Sequence, residues 1–521
     1  MRKPFLQLAA ERVVVLDGAM GANLQTRPFD LQRDWLGHEN ISEIINLTRP
    51  EVIREIHESF LAVGCDAVET NTFGGMKIVL AEAGLAERCF EINKLAAEIA
   101  RSACERFETP DQPRYVIGAV GPGTKLISLG HTTWDLMLDS YLEQMRGLLA
   151  GGVDVILIET MQDMLCIKCA VNAARLAMKE ASRRVPIMVQ ASFDLNNGAN
   201  MLTGTDPEAF VATFEPWQDI AVLGLNCAFG PVELTETLHY LCNHWPRLTS
   251  CLPNAGLPIM VDGKPRFPMT PPDFVRGMMR FVDEFGVNIV GGCCGTMPEH
   301  LKLLVEAVAE SEKKRRAEET QKPGGNPAVA SSVDPAVAPS LPKRKVVCKP
   351  QVSSLVSAAD IRQDNSYLII AERTNTNGSR RFRELLQAED WDGLVSMARD
   401  ELKDGSHMLD VCVDFVGRDG VRDMQEVVRR FVNALPAPLM LDSTDPAVME
   451  AGLKLAGGRC VLNSMNLEEG EEKLARICEL AVKFGAAVVA GCIDEDKEAA
   501  MARTRERKLS IARRIRDLAV E

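Results

Sequence analysis

The sequence predicts an α/β protein made of two parallel barrels in tandem: a complete (β/α)8 TIM barrel, then a second TIM-type barrel truncated at its C-terminal end. Three observations carry this reading. Short apolar runs without in/out alternation recur at roughly 30–45-residue intervals, each followed by helical periodicity, and eight of them precede residue 310. A proline-rich stretch then breaks the rhythm, and five more such units follow it before Glu521. At roughly 250 residues per barrel, the 521 residues hold about two.

The first eight strands are expected at 13–16, 67–70, 115–120, 155–158, 187–191, 221–225, 248–252 and 287–290. Stretches such as 50–63 and 206–214 place apolar residues at three- and four-residue steps, as helices covering a barrel do. For the seventh strand, 258–261 competes with 248–252; the earlier run is preferred because 232–244 is a helix-length spacer directly before it. From Ser311 to Pro350 the chain passes through Lys313-Lys314-Arg315-Arg316, Pro323-Gly324-Gly325, Pro327, Pro335, Pro339 and Pro342 with little apolar periodicity. This reads as an interdomain linker, semi-extended where proline dominates. The mixed-charge run 310–319 reads as the solvated end of a helix rather than a docking patch. The expected domains are therefore 1–310, a linker 311–350, and 351–521. In the last of these, strands are expected at 367–371, 408–413, 439–441, 460–462 and 486–490, with a helix over 498–520. Five units leave two sheet edges unpaired where a barrel needs eight, so the second barrel is expected to be incomplete.

Composition narrows the function. The 59 Lys and Arg against 73 Asp and Glu give a net charge of −14, which lacks the basic face that phosphate neutralisation requires, so nucleic acid is excluded. No apolar run approaches the roughly 20 residues of a membrane span, and Met1-Arg2-Lys3-Pro4-Phe5 leads to Glu11 and Arg12 rather than a signal core. A cytoplasmic protein with no membrane partner is expected. Fifteen cysteines, an odd number scattered through apolar patterns, argue against a disulfide framework and put metal binding or core packing first. Cys166-x-x-Cys169 has metal or redox spacing but lies in a helical stretch with no second pair, so it is read as core.

Chemistry in a parallel barrel sits where the strands end. The eighth run ends Gly291-Gly292-Cys293-Cys294-Gly295-Thr296 and the sixth ends Gly224-Leu225-Asn226-Cys227, which brings three thiols to one rim. Glycines on both sides of the adjacent pair let the backbone aim both sulfurs at one point. Three thiolates with a fourth position open to substrate is a catalytic zinc pattern; the alternative is small buried residues at a tight turn.

Those residues, together with Asp17-Gly18-Ala19-Met20-Gly21, Glu69-Thr70-Asn71-Thr72-Phe73, Gly118-Ala119-Val120-Gly121-Pro122 and Glu159-Thr160-Met161-Gln162-Asp163, resemble the homocysteine-binding domain of the cobalamin-dependent methionine synthase family over nearly all of 1–310. The resemblance implies that Cys227, Cys293 and Cys294 bind Zn2+ and that the homocysteine sulfur takes an open position. It also implies that Asn254, in Pro253-Asn254-Ala255-Gly256, fills the fourth position without substrate; as an alternative, that amide caps a turn before glycine. A free thiol, with a pKa of about 8.5, is mostly protonated at neutral pH, whereas zinc ligation ionises it. Asp17 and Glu159 suit the substrate ammonium, and backbone amides of the glycine-rich turns its carboxylate, so Asp17, Gly18, Thr70 and Glu159 are the expected substrate contacts. The alternative for either acid is a helix N-cap.

The restart at Glu372-Arg373-Thr374-Asn375, with Asp410, Asp442-Ser443 and Asn463-Ser464 at strand ends, resembles the pterin-binding barrel of the same family across about 350–521. It implies pterin contacts by Glu372, Asp442 and Asn463, with Asp410 and Asp494 as further candidates; the alternative for each is a helix N-cap. Two departures stand out. Val411-Cys412-Val413-Asp414 replaces a segment where the family commonly has an asparagine, and the sixth-strand aspartate has no counterpart before Glu521. No Asp-x-His-x-x-Gly cobalamin motif occurs. The expected activity is methionine synthesis: methyl transfer from the co-substrate 5-methyltetrahydrofolate, through cobalamin (as methylcobalamin) held by a domain or chain outside this sequence, to zinc-activated homocysteine. The rivals are a corrinoid-independent zinc homocysteine S-methyltransferase using a sulfonium or betaine donor, and a non-catalytic zinc scaffold.

Overall fold

A computed structural model of the chain describes residues 2–261, 264–320, 344–493 and 502–520. The first ten strands are β1 (Val14–Val15), β2 (Ala67–Glu69), β3 (Tyr115–Val120), β4 (Val155–Met161), β5 (Ile187–Ala191), β6 (Ile220–Asn226), β7 (Leu248–Leu252), β8 (Ile259–Val261), β9 (Lys264–Arg266) and β10 (Ile289–Val290). Eight of them form one parallel sheet in the order β1-β10-β7-β6-β5-β4-β3-β2, and a parallel bridge between Leu16 and Ala67 brings its two outer strands together. The ring is a barrel. Every residue of β3 and β5 is buried because helices cover the outside and side chains fill the inside, which is why these strands lack alternation. The seventh barrel strand is β7; β8 instead pairs antiparallel with β9 in a separate ribbon with Ile259 and Met260 exposed.

Polar residues set where the helices begin. Thr133, Asp163, Asp206 and Thr270 each accept a first-turn backbone N–H and open the helices Trp134–Ala150, Met164–Glu180, Pro207–Phe214 and Pro271–Arg280. Cys166 and Cys169 are buried in the second of these, and burial pushes both thiols up.

The charged run 310–319 is the end of a helix, as its composition suggested, so the linker boundary at 311 falls inside that helix, and the far end of the linker stretch is also held in place. The helix Pro298–Thr320 runs on through the first ten residues of that stretch. Glu, Lys, Arg and Ala are good helix formers without any apolar stripe, and two anchors hold the extension: Glu312 accepts from Val13 N (2.8 Å) and Arg315 pairs with Asp283 (2.9 Å). At the other end the Arg344 guanidinium donates to the carbonyls of Cys242 (3.2 Å), Trp245 (3.3 Å) and Arg247, covering the C-terminus of the helix Thr235–His244. Next comes an unanticipated antiparallel ribbon, β11 (Gln351–Ser353) with β12 (Ala358–Asp360). It is wedged between the two halves. Thr213 Oγ1 meets Ser353 Oγ at 2.7 Å and Asp206 N donates to Val356 O on one side, while Arg459 N donates to Ser353 Oγ (2.8 Å) on the other.

The second sheet is parallel and runs in chain order: β13 (Ile370–Ala371), β14 (Met408–Val411), β15 (Leu439–Asp442), β16 (Val461–Met465) and β17 (Ala487–Ala490). The last helix spans Arg505–Val520. The hydrophobic core is continuous between the halves. Trp134 packs on Phe484 with ring centroids 4.9 Å apart, and Asn172 donates to Lys483 O (2.8 Å). Gly485 has φ 68 and faces Trp217 Nε1, where a Cβ would collide with the indole. Lys168, fully buried, sends its ammonium across the junction to Gly458 O (2.6 Å) and Ala456 O (3.4 Å); burial pulls its pKa down to about 8. Among the described residues no helix is long and apolar enough to cross a membrane.

Candidate functional site

At the C-terminal end of the first barrel, β6 stops at Asn226, and Cys227 and Ala228 follow with φ 60 and 56. A side chain in this left-handed region costs about 1 kcal/mol or more per residue, so the surrounding bonds must over-determine it. Cys227 N donates to Leu252 O (3.1 Å), tying the bend to the end of β7. After β10, Gly292 N donates to Asp17 O (3.0 Å), Cys293 N to Pro253 O (2.8 Å) and Cys294 N to Asn254 Oδ1 (3.0 Å). Thr296 Oγ1 closes the turn on Cys293 O at 2.6 Å and fills the space that a Cβ on Gly18 or Gly292 would need.

The result is a cluster of three sulfurs within 4.8 Å of one another, with Cys227 and Cys294 Sγ 3.8 Å apart. Hydrogen bonds from Cys293 and Cys294 hold Cys227 well below the ordinary thiol range, and the same bonding to Cys227 pushes Cys293 up and Cys294 to about 12. Asn254 is buried, and its carboxamide oxygen is engaged in holding the Cys294 backbone.

A cleft of about 410 Å3 opens beside the sulfurs. Three carboxylates line it: Asp17 after β1, Glu69 at the end of β2 and Glu159 in β4. Burial raises all three, Glu159 to about 7. Asp17 accepts from Glu69 N with both oxygens (3.1 Å each), and Glu159 accepts from Asn226 Nδ2 (2.9 Å). Glu69 Oε1 is buried without a partner. Neither Asp17 nor Glu159 is an N-cap; those positions belong to Ala19 and Asp163. No lysine or arginine lines the cleft among the described residues. Gly18 and Thr70 share its wall, but the Thr70 hydroxyl is committed to the barrel, accepting from Ala119 N (3.1 Å) and contacting Thr72 Oγ1 (2.6 Å).

In the second half, Asp410 ends near Asp442, which registers with Asn463 on the next strand. Asn375 joins the two acids, its Nδ2 donating to Asp410 Oδ2 (2.7 Å) and Asp442 Oδ2 (2.9 Å). Asp410 Oδ1 is left buried and unpartnered, and burial raises Asp442 and carries Asp410 to about 6. Glu372 lies exposed after β13. Helix caps here are Ser379, Asp390, Asp419 and Asp445, so none of the four candidates serves as one. Asp494 lies outside the described residues.

Residues 14–308 match the homocysteine S-methyltransferase family, and residues 371–521 match the pterin-binding enzymes. The chain belongs to the homocysteine S-methyltransferase family. It is 40% identical over 513 residues to proteins named methionine synthase from Mycobacterium tuberculosis and Mycobacterium leprae. The match takes in 98% of this chain and 40% of each relative, so the chain spans two-fifths of their length. Among solved structures, the homocysteine methyltransferase MmuM from Escherichia coli in its metallated form aligns with 58% of this chain and 100% of that one, at 21% identity and a TM-score of 0.46.

In this homocysteine S-methyltransferase family member, Glu69, Asn226 and Asn375 take part in the two clusters although none was among the expected contacts. Glu69 and Asn226 end β2 and β6, and Glu159 lies two residues before the end of β4; these are alternate strands, whose inward side chains share a layer in a parallel barrel. Reading strand ends two strands apart is the signal that finds Glu69, whereas nothing in the sequence singles out the two amides.

Proposed function

We propose that the chain carries the thiol-activating and methyl-donor-binding parts of a methionine synthase. In this reading a methyl group passes from 5-methyltetrahydrofolate, by way of cobalamin held outside these residues, to homocysteine. The observation that carries it is one cleft holding three convergent thiols and three carboxylates with no lysine or arginine lining it among the described residues. Such a cleft asks its ligand for a thiol-sized donor and a positive charge, and an amino thiol has both.

Cys227, Cys293 and Cys294 would hold zinc, for which three sulfur donors and an open position are a fitting set, with Asn254 as the substrate-free fourth donor. Bound there, zinc supplies the Lewis acidity that keeps a substrate thiol ionised at neutral pH. The chain's own residues do the rest. Asp17, Glu159 and Glu69 take the α-ammonium, and Gly18 and the neighbouring turns offer backbone N–H groups to the carboxylate. The sulfur lone pair then forms the new C–S bond as the methyl leaves its carrier. In the second half, the Asn375-linked Asp410 and Asp442, with Asn463, Glu372 and Asp494, would meet the donor/acceptor edge of a pterin. A sulfonium or betaine donor is disfavoured by the pterin-binding match, and a zinc scaffold by the uncompensated acids. Free cysteines suit the reducing cytoplasm.

The test supplies free methylcobalamin and homocysteine to the zinc-loaded chain. Methionine is expected from the wild type and not from Cys293→Ala, which should also lose its metal. Full zinc occupancy with intact activity in that variant overturns the reading.

A further inference from the structure

Asn226 is almost fully buried, and its carboxamide is completely used. Its Oδ1 accepts from Thr160 N at 2.7 Å; its Nδ2 donates to Glu159 Oε2 at 2.9 Å and to Thr160 Oγ1 at 2.8 Å. Thr160 sits at φ 54, a conformation that the clamp on its N–H helps to hold. These bonds span from β6 to β4, over the intervening β5. The residue after Asn226 is Cys227, itself at φ 60 and within the sulfur cluster. One short segment therefore fixes both a carboxylate and a sulfur of the same cleft.

We propose that Asn226 is a positioning residue that sets the separation between the amino-group subsite at Glu159 and the sulfur subsite at Cys227, and so selects thiols by the reach between their sulfur and amino group. This rests on reading the cleft as an amino-thiol site. Without the amide, Glu159 Oε2 loses its donor and the carboxylate is free to turn, while the sulfur cluster keeps its own backbone anchors at Leu252, Pro253 and Asn254. The loss should fall on ligands with an amino group at the right distance.

The test is calorimetric binding of three thiols to the zinc-loaded full chain: homocysteine, cysteine (one methylene shorter) and 4-mercaptobutyrate (no amino group). The wild type should favour homocysteine. In Asn226→Ala, homocysteine should weaken by about 10- to 100-fold, as removal of a hydrogen bond to a charged group does, while the other two change by less than about threefold and zinc content is unchanged. In a Glu159→Gln background, Asn226→Ala should add little, because its effect runs through that carboxylate. If Asn226→Ala fails to fold, Asn226→Asp gives the same readout, since it keeps the shape but turns an oxygen toward Glu159. Equal weakening of all three thiols, loss of zinc, or multiplying effects of the two substitutions would overturn the proposal while leaving the thiol site standing. Failure of the wild type to bind any of the three would remove the amino-thiol reading, and this inference with it.

Discussion

Replacing Lys168 by methionine tests the junction between the two halves through its pH dependence. The ammonium is fully buried, and its surroundings include Asp163, Cys460 and Arg459. Its pKa falls from the ordinary 10.5 to about 8, chiefly through burial. At about 1.4 kcal/mol per tenfold change, the drop amounts to about 3 kcal/mol. The sign follows from counting protons. Below pH 8 the folded and unfolded chains both hold the proton, and the cost of burying the charge is constant. Between about pH 8 and 10.5 the unfolded chain holds more protons than the folded one, so stability contributed by this group rises with pH and then levels off. Methionine keeps an unbranched stem but carries no proton, and it leaves Gly458 O without its donor at a roughly constant cost of about 1–3 kcal/mol. Urea unfolding should therefore show the wild type gaining about 3 kcal/mol on Lys168→Met across this window. Parallel stability curves from neutral to alkaline pH would show that the buried amine does not titrate there, and the reasoning would fail.

Two further outcomes follow from the sites. Because Cys227 holds φ 60, Cys227→Gly should be more stable than Cys227→Ala by about 1 kcal/mol in thermal melts, with both variants lacking zinc; equal stability would mean the bend is unstrained. Asp410, raised from 3.8 to about 6 chiefly by burial, favours the folded state only in its protonated form, so that contribution is lost as pH rises through about 6. Asp410→Asn, whose amide oxygen still accepts from Asn375, should be more stable than wild type above that pH and should bind methyltetrahydrofolate more weakly; a stability difference independent of pH would refute it.

Strand positions were legible because buried parallel strands are written as uninterrupted apolar runs, and the choice of 248–252 over 258–261 rested on helix spacing that the fold respects. Two things were not legible. The charged run 310–319 was legible as a helix end, but its anchors, Val13 and Asp283, are distant in sequence and were not. The ribbon of β11 and β12 is short and polar, and only the shapes on either side, such as Thr213 and Arg459, make it a wedge. At the site, the three thiols stand next to glycines and strand ends and could be read directly. Asn226 and Asn375 could not be singled out, because an amide's role depends on which acids its two ends reach. Nothing local to Lys168 marks it out, because its partners lie 288 and 290 positions away.

The ribbon formed by β8 and β9 sits between β7 and the helix Pro271–Arg280, and its strands pair only with each other. Directly after it comes Phe267, which lines the thiol cleft and occupies the space above Gly295. One wall of the cleft is therefore an appendage rather than part of the closed ring. Doubling the length of such a loop costs only about 0.6 kcal/mol in closure entropy, whereas altering a barrel strand disturbs every neighbour. Lineages, or engineers, can thus resize the mouth of this cleft and change what approaches the sulfurs while the ring that holds them stays as it is.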